Sequence, residues 1–296
     1  MTIVEPGATV PTVPDRAAPE RVAADAAEVD AALDRLRDRL RAERRLLVAF
    51  SGGVDSALLA AVATEVLGSR AVAVTAVSPS LAAAERAAAR EFCRRHGIAH
   101  VELATDELTR PEYVRNGADR CFHCKSALFD ALAPLAALTS ATVAVGTNLD
   151  DLDDHRPGQV AAARRGAVAP LVDAGLTKRL VRDISRRLGL VTADKPAMAC
   201  LASRVAYGEP VTAELLGRVE AAEAALHRLG FPVCRVRSHA GGTVARVELP
   251  VDRLPDAVAV AAELDAAVRA AGFDFCALDL GGFRSGRLNV LLRPRS

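Results

Sequence analysis

The sequence predicts a doubly wound parallel α/β sheet that is followed by a smaller α+β domain. Apolar runs of strand length alternate with helical apolar patterns over the first two thirds of the chain, which is typical of a parallel sheet with crossover helices. The first of these runs ends in a Ser-Gly-Gly turn that leads directly into a helix. Beyond the stretch 204–210 the pattern changes to shorter segments separated by glycine turns. We therefore divide the 296 residues into a disordered tail at 1–26, a sheet domain at 27–205 and a C-terminal domain at 206–296.

The elements of the sheet domain follow from the spacing of its apolar residues. Helices are predicted at 29–45, 54–67, 81–96 and 178–188. Strands are predicted at 46–50, 71–77, 98–103 and 142–145. The stretch 148–175 is predicted to be irregular, and loops of that length inside a domain are usually functional or mobile. The loops after Phe50, Val77 and Val145 should meet at one sheet edge, because ligands of such sheets bind beyond the carboxyl ends of the strands.

The C-terminal domain is predicted to combine helices with hairpin strands. Its helices are expected at 212–229 and 252–271, and its strands at 232–237, 243–249, 275–280 and 288–292. The hairpin turn is placed at 240–242. A second glycine-rich bend, at 281–286, is interpreted as a hairpin turn, with a backbone nest for an anion as the alternative.

The turn at Ser51–Ser56 has the features of an anion site. Its two glycines permit positive φ and a close approach of the backbone to a ligand. The following helix directs unpaired N–H groups and its positive dipole end at the same place, where a phosphate fits. The alternative is a tight turn in which Ser51 or Asp55 only caps the helix. No glycine in the chain precedes a lysine and no G-x-G occurs, so a Walker loop and a dinucleotide fingerprint are excluded.

Composition argues against nucleic-acid and membrane partners. The 38 Lys and Arg balance 37 Asp and Glu, and the net charge of +1 is unlike that of a polyanion binder. Aromatic residues are 3% of the chain, which leaves few platforms for stacking bases. No apolar stretch was found that is long enough to span a bilayer, and no signal pattern was found. A cytoplasmic location is expected, in which the six cysteines are reduced, reactive or metal-bound.

Cys121 and Cys124 form a C-x-x-C pair with several possible roles. Zinc, an iron–sulfur cluster, a redox pair and no function all remain open. The chain has no second C-x-x-C to complete a structural zinc site. A thioredoxin-like pair would open a helix directly after a strand, and the stretch 110–119 separates the motif from the third strand.

Cys200 is the third candidate cysteine. It lies between Pro196 and Arg204, an unusual place for a core residue, and a nearby Arg204 would lower its thiol pKa and so suit a nucleophile or a metal ligand. A 4Fe–4S cluster with three cysteine ligands has one open iron, which could hold an exogenous sulfide. The remaining cysteines, interpreted as structural, are Cys93, Cys234 and Cys276.

The phosphate-loop motif Ser-Gly-Gly-x-Asp-Ser resembles the PP-loop of the ATP pyrophosphatase superfamily. From about residue 28 the chain is similar to one family within it, the LarE sulfur transferases of nickel-pincer nucleotide synthesis. The similar stretches are 51–56, 146–151 with 156–158, 170–178, 196–204 and 282–286. The resemblance implies that ATP is cleaved between its α and β phosphates. It also implies that a carboxylate of pyridinium-3,5-dicarboxylate mononucleotide is adenylated and then converted to a thiocarboxylate.

The resemblance also implies roles for residues at the nucleotide. Backbone amides and hydroxyls would cradle pyrophosphate at Ser51, Gly52, Gly53 and Ser56. Asp55 would hold Mg²⁺ against the phosphates, since this cation prefers oxygen ligands. Contacts to adenosine are expected at Ser78, Gly146, Thr147 and Asn148. Lys178 would reach the β and γ phosphates, with a helix-surface lysine as the alternative.

Further roles concern the substrate and the sulfur. Arg235 and Arg237 share a strand face and would bind the substrate phosphate, with a solvated face as the alternative. Weaker candidates for a metal or substrate ligand are Glu223 and Glu248. In one version of the sulfur step the residue matching Cys200 gives up its own sulfur and becomes dehydroalanine. In the other it joins the C-x-x-C to hold a 4Fe–4S cluster, and the presence of Cys121 and Cys124 favours this version.

The implied partners are a sulfide donor, a nickel-insertion enzyme and further copies of the chain in a homo-oligomer.

Three rival functions remain open. A tRNA thiolase would need a basic RNA-binding face. An ammonia-transferring synthetase would leave the three cysteines without a role. A regulatory nucleotide-binding module would bind ATP without chemistry.

Overall fold

The computed structural model of the chain describes residues 25–152, 157–196 and 199–284. The predicted disordered tail lies outside these ranges except for its last two residues, and the predicted strand 288–292 also lies outside. The same is true of Asp153, Asp154, His155 and Arg156 in the stretch predicted as irregular. Below, α and β labels follow chain order.

The sheet domain is built on four parallel strands, as predicted. They are β1 (Leu46–Ala49), β2 (Ala71–Val77), β3 (His100–Ala104) and β4 (Thr142–Ala144). The strand order is β3-β2-β1-β4, with Leu46 opposite both Ala71 and Thr142. The order therefore reverses between β1 and β4, and the ligand site of such a sheet lies at this reversal.

Helices cover both faces of the sheet. They are α1 (Ala26–Arg41), α2 (Val54–Leu67), α3 (Ala83–Arg95), α4 (Pro111–Val114), α5 (Arg120–Thr139), α6 (Pro157–Arg164), α7 (Pro170–Asp173) and α8 (Lys178–Arg187). Two of these helices have a clear terminal signal. Gly68 ends α2 at a φ of 57°, and the Thr177 side chain accepts the Leu180 N–H at 3.3 Å to cap α8.

Two predictions in this domain were wrong. The stretch 148–175 contains α6 and α7, so it is not irregular throughout. Helix α5 was missed, and Cys121 is its second residue, so the C-x-x-C does open a helix. By length and composition α5 could also cross a membrane, which the sequence argument overlooked. Its Phe129 and Leu132 are buried against the sheet.

A second, smaller sheet follows the first. The hairpin β5 (Arg235–His239) and β6 (Val244–Glu248) turns at Ala240–Gly242 as predicted, and β7 (Phe275–Leu278) pairs in parallel with β6. Its helices are α9 (Ala213–Arg228), α10 (Leu254–Ala259) and α11 (Ala261–Ala270). The single helix predicted at 252–271 is therefore split, and Val260 at a φ of −114° marks the break.

The two sheets have separate hydrophobic cores. The second core includes Leu201, Ala202 and Val205, and it also takes in Tyr113 from the connection between β3 and α5. The division into a sheet domain at 27–205 and a C-terminal domain at 206–296 stays a prediction.

Candidate active site

The Ser51–Ser56 turn joins β1 to α2 at the reversal of strand order. Gly52 has a φ of 72°, which a residue with a side chain rarely adopts. The Ser56 hydroxyl donates to the Gly53 carbonyl at 3.1 Å and accepts the Ser51 N–H at 3.2 Å, so the turn is closed on itself. Gly53 is the N-cap of α2 and provides no side-chain acceptor. The first N–H groups of α2 are therefore available to an anion.

The loop after β4 lies directly against this turn. A Cβ placed on Gly146 would lie 2.8 Å from the Ser56 nitrogen and 3.1 Å from the Asp55 carbonyl carbon. Only glycine allows so close an approach between two backbone segments. The sequence prediction that the loops after β1 and β4 converge is confirmed at this contact.

Asp55 stands at the centre of a polar network. Its carboxylate accepts the side-chain amide of Asn148 at 3.0 Å and pairs with the Lys178 ammonium at 2.5 Å. Asn148 is 1% exposed, and its own side chain accepts the Asp150 N–H at 3.0 Å. The Asp150 carboxylate in turn accepts the Lys178 N–H at 2.8 Å. The network fixes both a carboxylate and an ammonium beside the Ser51–Ser56 turn, which we call the phosphate turn.

Lys195 is a site residue that the sequence analysis missed. Its ammonium donates to the Gly52 carbonyl at 3.1 Å and to Glu85 at 2.8 Å. In the sequence, Lys195 looks like an ordinary surface lysine. Its role depends on the contact with Gly52, which is far away in the chain and cannot be read from local pattern. Two lysines therefore contact the phosphate turn, Lys178 through Asp55 and Lys195 through Gly52.

The loop after β2 contacts the cysteine region. Ser78 donates to Glu107, and its hydroxyl accepts the Ser80 N–H at 3.2 Å. The Ser80 carbonyl accepts the N–H of Leu201 at 2.9 Å, so the residue after Cys200 is anchored to this loop. The Ser80 hydroxyl also meets the phenol of the buried Tyr113 at 2.6 Å. Glu107 and Tyr113 were not predicted as site residues.

The three candidate cysteines differ in exposure. Cys121 and Cys200 are exposed, whereas Cys124 is half-buried. Burial, followed by the nearby charges of Cys200 and Glu107, raises the pKa of the Cys124 thiol to about 12. Burial and the charges of Cys200 and Cys124 also raise the pKa of Tyr113. Burial is thus the largest cause of both raised pKa values.

These cysteines satisfy only part of what a cluster requires. Three thiols are the correct donors for an iron–sulfur cluster, and Cys121 and Cys124 lie one turn apart on α5. Among the described residues, however, no three Cys, His, Asp or Glu side chains come together as a metal-binding group. The sulfur atoms would have to draw closer to bind a cluster.

Arg204 holds the main chain around Cys200. Its guanidinium donates to the carbonyls of Ala199 and Cys200 at 2.5 and 3.0 Å, and to both oxygens of Glu223 at 2.9 and 3.1 Å. Glu223 also accepts the Val236 N–H at 3.0 Å. The structure therefore assigns Glu223 to a buried ion pair, and its predicted role as a metal ligand stays an untested prediction.

The two predicted phosphate-binding arginines are unlike each other. Arg237 is 6% exposed and pairs with the fully buried Glu248 at 2.8 Å. Arg235 forms no ion pair with a described residue and lies over the ring of Phe283, 5.1 Å from its centre. Burial, and then the neighbouring charge of Arg204, lowers the pKa of Arg235. Arg235 is thus the better placed of the two to receive an anion.

Comparisons with known proteins agree with the phosphate turn. The asparagine synthase family model matches residues 28–127, which include this turn. The chain is 46% identical over 267 residues to an uncharacterized protein of Synechocystis, covering 89% of this chain and 99% of the relative. It is 24% identical over 206 residues to an uncharacterized protein of Methanocaldococcus jannaschii, covering 69% and 78% of the two chains.

A third relative has a described activity. The pyridinium-3,5-bisthiocarboxylic acid mononucleotide synthase of Lactiplantibacillus plantarum is 36% identical over 252 residues, covering 84% of this chain and 90% of its own. Agreement over most of both chains includes the sheet, the phosphate turn and the second domain. Together with the parallel sheet and the Ser-Gly-Gly-x-Asp-Ser turn, this similarity shows that the chain belongs to the LarE family of ATP-using PP-loop enzymes.

Proposed function

We propose that this enzyme adenylates a carboxylate of pyridinium-3,5-dicarboxylate mononucleotide and converts it to a thiocarboxylate with sulfur presented at Cys200. The observation that best supports the proposal is the anchoring of the Cys200 segment. On the N-terminal side of Cys200, the Lys195 ammonium donates to the Gly52 carbonyl of the phosphate turn. On its C-terminal side, the Leu201 N–H donates to the Ser80 carbonyl in the loop after β2. These contacts support the proposal that the exposed Cys200 thiol lies close to the sheet edge at which ATP would bind.

Adenylation provides the leaving group for the reaction. A carboxylate oxygen attacks the α-phosphorus of ATP, the bond to the bridging oxygen of the β-phosphate breaks, and pyrophosphate departs. The N–H groups of α2 and the Lys178 ammonium would receive the charge that develops on pyrophosphate. Mg²⁺ would be held by Asp55 and the phosphates, because this cation usually combines one carboxylate with phosphate oxygens.

The second half of the reaction forms the carbon–sulfur bond. A sulfur nucleophile attacks the acyl carbon, and the carbon–oxygen bond to AMP breaks. Arg235 would hold the phosphate of the substrate, since it has no ion pair with a described residue to give up. Arg204 orients the Cys200 main chain through the two carbonyls that it binds.

The sulfur has two candidate sources, which the experiment below distinguishes. A 4Fe–4S cluster held by Cys121, Cys124 and Cys200 would supply a sulfide on its open iron. The presence of the Cys121–Cys124 pair together with Cys200 in one chain supports this source. In the sacrificial source the Cys200 thiolate forms a thioester, loses its α-proton, breaks its Cβ–Sγ bond and remains as dehydroalanine.

The test is a single anaerobic turnover with Mg-ATP and the dicarboxylate nucleotide. We expect AMP, pyrophosphate and a product in which sulfur replaces one oxygen. The C200S variant should still release pyrophosphate but form no thiocarboxylate, and C276S is the control for loss of an unrelated thiol. Pyrophosphate release that does not require the dicarboxylate nucleotide, or thiocarboxylate made by C200S, would overturn the proposal.

The same samples distinguish the sulfur sources. Iron, acid-labile sulfide and visible absorption that disappear in C121S and C124S indicate the cluster. An iron-free protein in which the Cys200 peptide loses the mass of H₂S indicates sacrifice. We further propose a cytoplasmic location, assembly into a homo-oligomer and delivery of product to a nickel-insertion enzyme. Sedimentation of the purified chain tests the assembly.

A further inference from the structure

Lysine is rare in this protein, and each lysine is next to a predicted functional element. Only three of the 38 basic residues are lysines: Lys125, Lys178 and Lys195. Lys125 follows Cys124, Lys178 pairs with Asp55, and Lys195 contacts the phosphate turn. Lysine differs from arginine in presenting a compact charge with three rotatable donors, a form that suits phosphate oxygens.

The ammonium of Lys195 is positioned from both sides. Its partners are the Gly52 carbonyl at 3.1 Å and Glu85, in the first turn of α3, at 2.8 Å. The Lys195 main chain is also fixed, because its carbonyl accepts the Arg182 guanidinium at 3.2 Å and its N–H donates to Thr192 at 3.0 Å. The charge therefore lies at the phosphate turn before any nucleotide is bound.

The pair with Glu85 is one that a polyphosphate can replace. The Lys195 and Glu85 side chains are 21% and 32% exposed, and ion pairs with such access to water contribute little. A phosphate at the N-terminus of α2 would bring more than one negative charge to an ammonium that already touches Gly52. Since Lys195 has three donors, it can keep the Gly52 contact and give the others to phosphate oxygens.

We propose that Lys195 is a phosphate-binding residue that leaves Glu85 for the β- or γ-phosphate of ATP and stays with the pyrophosphate after cleavage. This inference rests on the ATP-binding half of the proposed function and not on sulfur transfer. It assigns the turn two lysines, Lys178 through Asp55 and Lys195 through Gly52. Both come from segments outside the β1–α2 turn itself.

The experiment measures binding of Mg-ATP, Mg-pyrophosphate and AMP to the full chain by calorimetry, with no dicarboxylate nucleotide present. K195Q should weaken ATP and pyrophosphate about 10- to 100-fold, the effect of losing a hydrogen bond to a charged group. AMP should bind as before, because it lacks the β and γ phosphates. K195R should retain part of the ATP affinity. Failure of sulfur transfer would leave these measurements unaffected.

The E85Q variant distinguishes a phosphate-binding role of Lys195 from a role limited to its ion pair with Glu85. It removes the ion pair but keeps the Lys195 ammonium and its bond to the Gly52 carbonyl. ATP should therefore bind as tightly as in the wild type or more tightly. R186Q is the charge-matched control, since Arg186 lies nearby in an exposed pair with Asp194. Three results would overturn the inference: ATP affinity in K195Q equal to wild type, equal losses of ATP affinity in K195Q and E85Q, or a parallel loss of AMP binding in K195Q.

Discussion

Replacing Gly146 by alanine tests whether the contact between two loops builds the ATP site. Gly146 does not have a positive φ, so the substitution adds no backbone strain and only the new methyl group matters. That methyl would lie 2.8 Å from the Ser56 nitrogen and 3.1 Å from the Asp55 carbonyl carbon. Both atoms are backbone of the first turn of α2 and cannot rotate away. The turn must therefore shift by about half an ångström, at an overpacking cost of about 1–3 kcal/mol.

The expected result is a loss of both stability and function. Urea denaturation should show the lower free energy of unfolding. ATP-dependent pyrophosphate release should fall about tenfold or more, because a shift of the N–H groups misplaces the phosphates. The matched control is G217A, in the interior of α9 with open space around the new methyl. It should raise stability by about 1 kcal/mol through helix propensity and leave ATP binding unchanged. If G146A matches the wild type in both assays, the two loops do not form a single site.

Three other predictions concern charge and thiol chemistry. D55N should reduce pyrophosphate release by about 100-fold, because the variant leaves Lys178 unpaired and removes the carboxylate expected to hold Mg²⁺. Iodoacetamide at pH 8 should label Cys200 but leave Cys124 almost unlabelled, since a thiol with a pKa of about 12 is protonated there; its labelling should rise only as the pH approaches 12. R204M should destabilise the protein by about 3–5 kcal/mol in urea, because Glu223 would remain as a buried charge without a partner.

Each of these predictions has a control and a contradicting outcome. For D55N, a normal melting temperature shows that the loss is local, and unchanged pyrophosphate release would remove Asp55 from the site. Equal labelling of Cys124 and Cys200 at pH 8 would contradict the raised pKa of the Cys124 thiol. R94Q breaks the exposed pair with Glu91 and should change stability by less than about 0.5 kcal/mol. A loss in R204M no larger than that would contradict the buried-pair argument.

The parts of the fold that depend on local pattern could be predicted from the sequence. The alternation of apolar runs specified the four parallel strands, and the bounds of β2 and the end of α2 match their predicted residues. The phosphate turn was found because glycine, serine and aspartate at one strand-to-helix junction have few other uses. Helix α5 was not predicted, and Pro134, a residue that usually interrupts helices, lies within it.

The missed site residues depend on contacts between distant segments. Lys195 lies 143 positions from Gly52, and nothing in its neighbours indicates that contact. The partners of Arg237 and Glu223 were equally hidden, because a strand pattern shows which face a side chain occupies and not which carboxylate meets it. The sequence therefore predicted the phosphate turn better than the residues that surround it.

The shared packing around Tyr113 determines how this protein can be divided. Tyr113 belongs to the second hydrophobic core although it precedes α5. The neighbouring Asn116 is fully buried and donates its amide to the carbonyls of Ala206 and Glu209, at 2.8 and 3.0 Å. A fragment that stops at residue 205 would expose Tyr113 and strip Asn116 of these acceptors, so truncation there would yield an aggregating product. We therefore expect the two halves to fold only when they are expressed as one polypeptide.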